Sequence, residues 1–210
     1  GTLSVVSGPT DPNGRLVVTY TATSAGSETV TARTTNARTG SVALTIVSAP
    51  VTGLTASAGA PSVIADGASA VAIRATVTVA SGSPVGLPVT FTTTAGTLSP
   101  TPATATTDAN GVATVTLVAA TSLGTATVTA AAGGFSATAT VGFVAGPPAT
   151  VQLSTSPATL SVGGTATLTA SVQDTQGNPV AGQTVTFGTL THGTLSVASG
   201  PTDPNGRLVV

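Results

Sequence analysis

The eighteen residues Gly1–Val18, GTLSVVSGPTDPNGRLVV, return at Gly193–Val210 with a single change, Val6 against Ala198. A chain that repeats itself folds as repeated units, and the spacing of the copies sets the size of the unit. A looser copy, GTLSPTPATATTDANGVATVTL (Gly96–Leu117), lies about 95 residues after the first. A second landmark agrees: GSPVGLPVTF (Gly82–Phe91) matches GNPVAGQTVTF (Gly177–Phe187) with one residue inserted. The elementary period is therefore about 96 residues, and near-identity at 192 marks a two-unit block duplicated more recently than its halves diverged. On this reading residues 1–49 are the C-terminal half of one module, 50–146 a complete module, and 147–210 the front of a third. A half-module exposes unpaired strand edges and apolar faces, so neither flank is expected to be stable alone. Residues 147–192 and 1–49 together make up one module, which predicts that they complement each other in an assembled form.

Each unit reads as strands. In SAVAIRATVTV, Val71, Ile73, Ala75, Val77 and Val79 fall on one face and Ala72, Arg74, Thr76 and Thr78 on the other, the period-two alternation of a half-buried strand. VATVTLV repeats it with Ala113, Val115 and Leu117 inward, and GTATVTA with Ala126 and Val128. Turn-forming clusters, ADGAS, SGSPVG, TDANG and AAGG, separate these runs every eight to twelve residues, the rhythm of an antiparallel β-sandwich. The predicted fold class is all-β: tandem antiparallel β-sandwiches, the outer two modules cut through. TDPNG (Thr10–Gly14 and Thr202–Gly206) and TDANG (Thr107–Gly111) read as hairpin turns, Asn-Gly supplying the positive φ.

Composition narrows the function. With no Cys, the chain has no disulfide, thiolate nucleophile or zinc thiolate site; with no Lys, it has no Schiff base and no Lys–Asn isopeptide crosslink. Charged residues are 5% of the chain at net charge −1, which leaves no basic field for nucleic acid. Gly, Pro and Thr interrupt every apolar run well short of the ~20 residues a membrane helix needs. So neutral a surface favours association with copies of itself.

ADGASAVAIRATVTVASGSPVGLPVTFTTTAGTLS, followed by TTDANGVATVTLVAATSLGTATVTA, resembles the bacterial Ig-like domains, group 1, of intimin- and invasin-type adhesins. The most specific elements are the Gly-Asn-Pro-Val type of turn (Gly82–Val85, Gly177–Val180), the Val-Thr-Phe that follows (Val89–Phe91, Val185–Phe187) and the Thr-Asp-x-Asn-Gly hairpin. The resemblance implies an exported bacterial protein at the cell surface or secreted, in which tandem sandwiches act as a spacer. It brings no catalytic residues.

Candidate chemistry is sparse, and the expected set of catalytic, cofactor-binding and metal-binding residues is none. His192 is the only histidine, and Ala95 stands at its counterpart, which argues for a turn or surface residue. Asp66, Asp108 and Asp174 are the first candidates for a calcium ion held between modules, each needing a neighbouring module to complete six to eight oxygens. Arg15 and Arg207 lie beside Asp11 and Asp203, a surface ion pair by default. Phe91 and Phe187 read as core. Pro147-Pro148 and the linker VSAPVTG limit bending between modules. The function expected is thus non-enzymatic: a structural repeat of an adhesin stalk or surface fibre, partnered by adjacent repeats or copies of itself. The alternative is a module that binds a receptor or glycan through its loops.

Overall fold

A computed structural model describes every residue except Thr189. Among the described residues the ordered structure is all strand, with no helix. The N-terminal segment carries β1 (Thr2–Leu3), β2 (Tyr20–Thr21), β3 (Gly26–Arg33) and β4 (Thr39–Ile46). The central segment carries β5 (Val51–Ala58), β6 (Ser62–Ile64), β7 (Ala70–Val79), β8 (Pro88–Thr93), β9 (Thr97–Ser99), β10 (Thr104–Thr106), β11 (Val112–Val118), β12 (Gly124–Ala132) and β13 (Phe135–Val144). The C-terminal segment carries β14 (Thr150–Ser156), β15 (Thr167–Gln173), β16 (Thr184–Thr186), β17 (Ser199–Pro201) and β18 (Arg207–Val209).

In the central segment two sheets face each other, in the orders β10-β8-β12-β13-β6 and β5-β7-β11-β9. Alternation explains why. Val71, Ile73, Ala75 and Val77 of β7 are buried while Arg74, Thr76 and Thr78 are exposed, and β11 buries Ala113, Val115 and Leu117 between exposed Thr114 and Thr116. Thr and Val suit this half-buried pleated surface. β11 pairs with β7 over Val112–Val118 against Ala70–Thr76, which brings the two apolar rows into one layer. From the opposite sheet, Val89, Phe91, Val128 and Val141 close on it. Ala75, Ala113, Ala126 and Ala130 are fully buried, so this core packs many small side chains around few large ones. Among the described residues all pairings are antiparallel except one: β6 runs parallel to β13, Ser62 against Gly142 and Ile64 against Val144.

The flanking segments use the same strands and bury far less. β3 and β4 form an isolated hairpin, Gly26–Arg33 against Thr39–Ile46, with no residue below half-buried. β14 pairs with β15 along its length, yet every residue of β14 is exposed, Val151 at 63% and Leu153 at 61%. Their counterparts Leu54 and Ala56 pack against the central core. Phe187, expected in a core, is only half-buried, because the strand that covers Phe91, β12 through Ala130, has no counterpart within 147–210.

Candidate functional site

The Thr-Asp-x-Asn-Gly hairpin folds identically three times. Asp11 Oδ1 accepts from Asn13 N at 2.9 Å and Arg15 N at 2.8 Å; Asp108 Oδ1 from Asn110 N and Val112 N, both at 2.9 Å; Asp203 Oδ1 from Asn205 N at 2.8 Å and Arg207 N at 2.9 Å. Each carboxylate caps its own turn through backbone N–H groups. This replaces the expected Asp–Arg ion pair: the arginines contribute their amides, and Val112 serves equally in the central copy.

The hairpin's leading threonine has a second job that the sequence did not disclose. Thr107 is buried; its hydroxyl donates to Pro84 O and accepts from Leu87 N at 2.9 Å. Thr202 does the same, donating to Val180 O at 2.6 Å and accepting from Gln183 N at 3.0 Å. One hydroxyl therefore ties the Gly-x-Pro-Val turn to the hairpin. Glycine closes the joint: Gly111 (φ 77°) and Gly206 (φ 71°) each leave a virtual Cβ 2.6 Å from a carbonyl oxygen, Val77 O and Val172 O, so no side chain fits.

The second Gly-x-Pro-Val turn sits at the boundary between the central and C-terminal segments. Asp174 is 3% exposed and Asn178 is 8% exposed. Asp174 Oδ1 accepts from Gln176 N at 2.9 Å and Asn178 N at 2.8 Å, which builds the turn. Its Oδ2 accepts from Gly146 N and from Asn178 Nδ2, both at 3.0 Å. The same amide nitrogen donates to Thr121 O at 3.0 Å and approaches Ala65 O at 3.4 Å. Two loops of the central segment and the linker are thus bound to one turn of the next. Burial raises the cost of charging Asp174, but the donors from Asn178, Gly146 and Gln176 outweigh it and hold the carboxyl below its usual range. Gly146 allows the approach: a Cβ there would lie 3.3 Å from Ile64 Cγ2 and 3.7 Å from Asp174 Oδ2. An apolar cleft lined by Leu123, Phe143, Pro179 and Val180 runs alongside.

Of the calcium candidates, Asp174 lies in this contact, and Asp66 lies in the loop beside it. Asp66 accepts from Ser69 N at 2.5 Å, Ala68 N at 2.8 Å and Ser69 Oγ at 2.7 Å, which hold its carboxyl below the usual range. Asp108 caps the hairpin that is tied to the Pro84 turn, remote in sequence from both. Among the described residues no three His, Cys, Asp or Glu side chains converge. Asp174 presents both its oxygens to N–H donors, an arrangement that builds a joint. His192 is exposed. Among the described residues no helix is long and apolar enough to cross a membrane.

Residues 54–144 match the bacterial Ig-like domain (group 1) profile. The structure of invasin, described as a bacterial integrin-binding protein, is 26% identical with a TM-score of 0.55, the alignment covering 93% of this chain and 43% of that one. Yersinia pseudotuberculosis InvD is 23% identical at a TM-score of 0.51, over 74% of this chain and 47% of that one. The D0-D1 domain of intimin is 33% identical at a TM-score of 0.40, over 76% of this chain and 82% of that one. This chain thus spans less than half of the invasin structure, and no curated protein matches it. The alternating sandwich, its turns and the profile match lead to one assignment: residues 54–144 are a domain of the bacterial Ig-like (group 1) family, and the fold is shared with the adhesin invasin.

Proposed function

We propose that the chain is a structural repeat of a bacterial extracellular adhesin stalk or surface fibre, built from 1–49 as the C-terminal half of one module, 50–146 as a whole module and 147–210 as the front of a third. The observation that carries this reading is the hydrogen-bonded seat of the Asp174–Asn178 turn on the end of the central sandwich, combined with a repeat that returns at 192 residues. This turn docks on the module before it and makes the two modules one stiff unit, and units repeated every 192 residues build a rod. Its work is reach and stiffness, with no catalytic step. Its partners are adjacent repeats or copies of itself.

Electron microscopy of the parent protein tests this directly. Rods whose density repeats with a two-module period are expected. Rods of fixed length mean a stalk, and open-ended fibres mean assembly through the half-modules. A compact parent with no axial repeat would overturn the reading and favour a module that binds a receptor or glycan.

A further inference from the structure

The chain contains two boundaries of the same kind, and their residues differ. Packing of Gly111 against Val77 O and Pro84, and of Gly206 against Val172 O and Pro179, puts the two Gly-x-Pro-Val turns in register, so that Val79 stands where Asp174 does and Ser83 where Asn178 does. A valine accepts no hydrogen bond, and a serine side chain is too short to span to the carbonyls that Asn178 reaches. Ser83 Oγ instead turns back to its own loop, accepting from Val85 N at 3.3 Å. The linker differs in the same sense: Ala49 takes the place of Gly146, and its Cβ already lies 3.6 Å from the Cβ position of Gly82. Of the groups that hold Asp174 and Asn178, Gly146 and Thr121 have counterparts in Ala49 and Thr23, and among the described residues no hydrogen bond joins either of these to residues 51–146. The boundary there is an open cleft bordered by Ser24, Val47, Ser83 and Val85.

We infer that the two boundaries are mechanically unequal: Asp174, Asn178 and Gly146 form a clasp that fixes the angle between the central and C-terminal modules, whereas the boundary at Ala49–Pro50 is an unclasped pivot. Segments joined by a short linker without a specific contact move relative to one another by default. In an array repeating every 192 residues, clasp and pivot alternate, so bends fall at every second boundary and the stiff unit is a pair of modules. This rests on the stalk reading for its biological meaning, but the clasp itself is a property of the chain.

The chain has no cysteine, so engineered pairs label cleanly. Spin labels at Thr138→Cys and Thr155→Cys straddle the clasp, Thr31→Cys and Thr76→Cys straddle the pivot, and Thr76→Cys with Thr138→Cys reports the central sandwich alone; all four positions are exposed. Pulsed dipolar spectroscopy on the full chain is expected to show Asn178→Ser broadening the distance distribution across the clasp roughly twofold. The central pair stays unchanged, and Ser83→Ala leaves the pivot pair as it was. An unchanged clasp distribution in Asn178→Ser overturns the inference, as does broadening at the pivot in Ser83→Ala. Should Asn178→Ser disturb the central pair, Gly146→Ala decides, since it crowds the contact from the linker side; broadening supports the clasp and no change overturns it. A parent that is not a rod, with the Asn178 effect intact, refutes the stalk and leaves the clasp standing.

Discussion

The hairpin at Asp11–Arg15 and the hairpin at Asp108–Val112 share every capping hydrogen bond, yet the strands that leave them meet different fates. Leu16 is 44% exposed, whereas Ala113, at the same step of the central strand, is fully buried. Thr10 is exposed and Thr107 is buried. The turn is a local object: an Asp oxygen, two amides two and four residues on, and a glycine at positive φ suffice to build it anywhere. Burial is a property of pairs of sheets. No opposing sheet covers Leu16 among the described residues, so identical turns lead into strands that do different energetic work.

The strongest way to break this contrast is to cut the same position in both settings. Leu117→Ala is expected to destabilise the central sandwich by ~2 to 5 kcal/mol, the range for a fully buried large-to-small change. Tyr20→Ala, at the matching strand position, removes a half-buried ring and its hydrogen bond to Glu28 and should cost about 1 kcal/mol. Urea unfolding followed by circular dichroism measures both; equal costs would show that the N-terminal segment has a core of its own. Next in size, Gly111→Ala combines a left-handed backbone with a Cβ 2.6 Å from Val77 O. It should cost roughly 2 to 4 kcal/mol, while Gly14→Ala, with open space around it, should cost about 1 kcal/mol from conformation alone.

Thr107→Val sharpens the contrast further. It keeps the shape but leaves Leu87 N and Pro84 O without their partner, a loss of ~1 to 3 kcal/mol that Thr10→Val should not share. The smallest effect is the response of the clasp to acid. Because the folded state lowers the Asp174 pKa, its contribution is present above the unfolded value of about 3.9 and is lost as pH falls through the folded value, so loosening belongs below pH ~4 and not near neutrality. The amide resonance of Gly146, followed by NMR through an acid titration, should move with a midpoint below that of a free aspartate; a midpoint at or above it would mean the carboxylate is not held by these donors.

What the sequence made legible follows the same division. The faces of β7, β11 and β12 could be read because alternation is written along one strand, and the turns because Asn-Gly and Asp act within five residues. The hydroxyl tie of Thr107 to Pro84 could not be read, since a threonine before a turn looks like any exposed one until the sandwich brings residues 23 positions apart together. Arg15 beside Asp11 suggested opposite charges in contact, but the nearer amide won the carboxylate. Asn178 was visible as part of a turn; that its amide would reach Ala65 and Thr121 depends on how two modules meet, which no periodicity encodes.

The lone parallel pairing bears on what happens when such a chain is pulled. β6 lies near the entry to the central sandwich and β13 at its exit, and they run side by side, flanked by Gly142 N to Pro61 O at 2.9 Å and Ala65 N to Val144 O at 2.8 Å. Once β5 has been drawn off β7, tension applied at the two ends drags these strands in opposite directions along their length, so the bonds between them are strained together in shear. They do not peel open one at a time. Forced unfolding is governed by the height of that barrier and not by equilibrium stability. A sandwich with a modest core of alanine and valine can therefore hold a load while its thermodynamic stability remains ordinary.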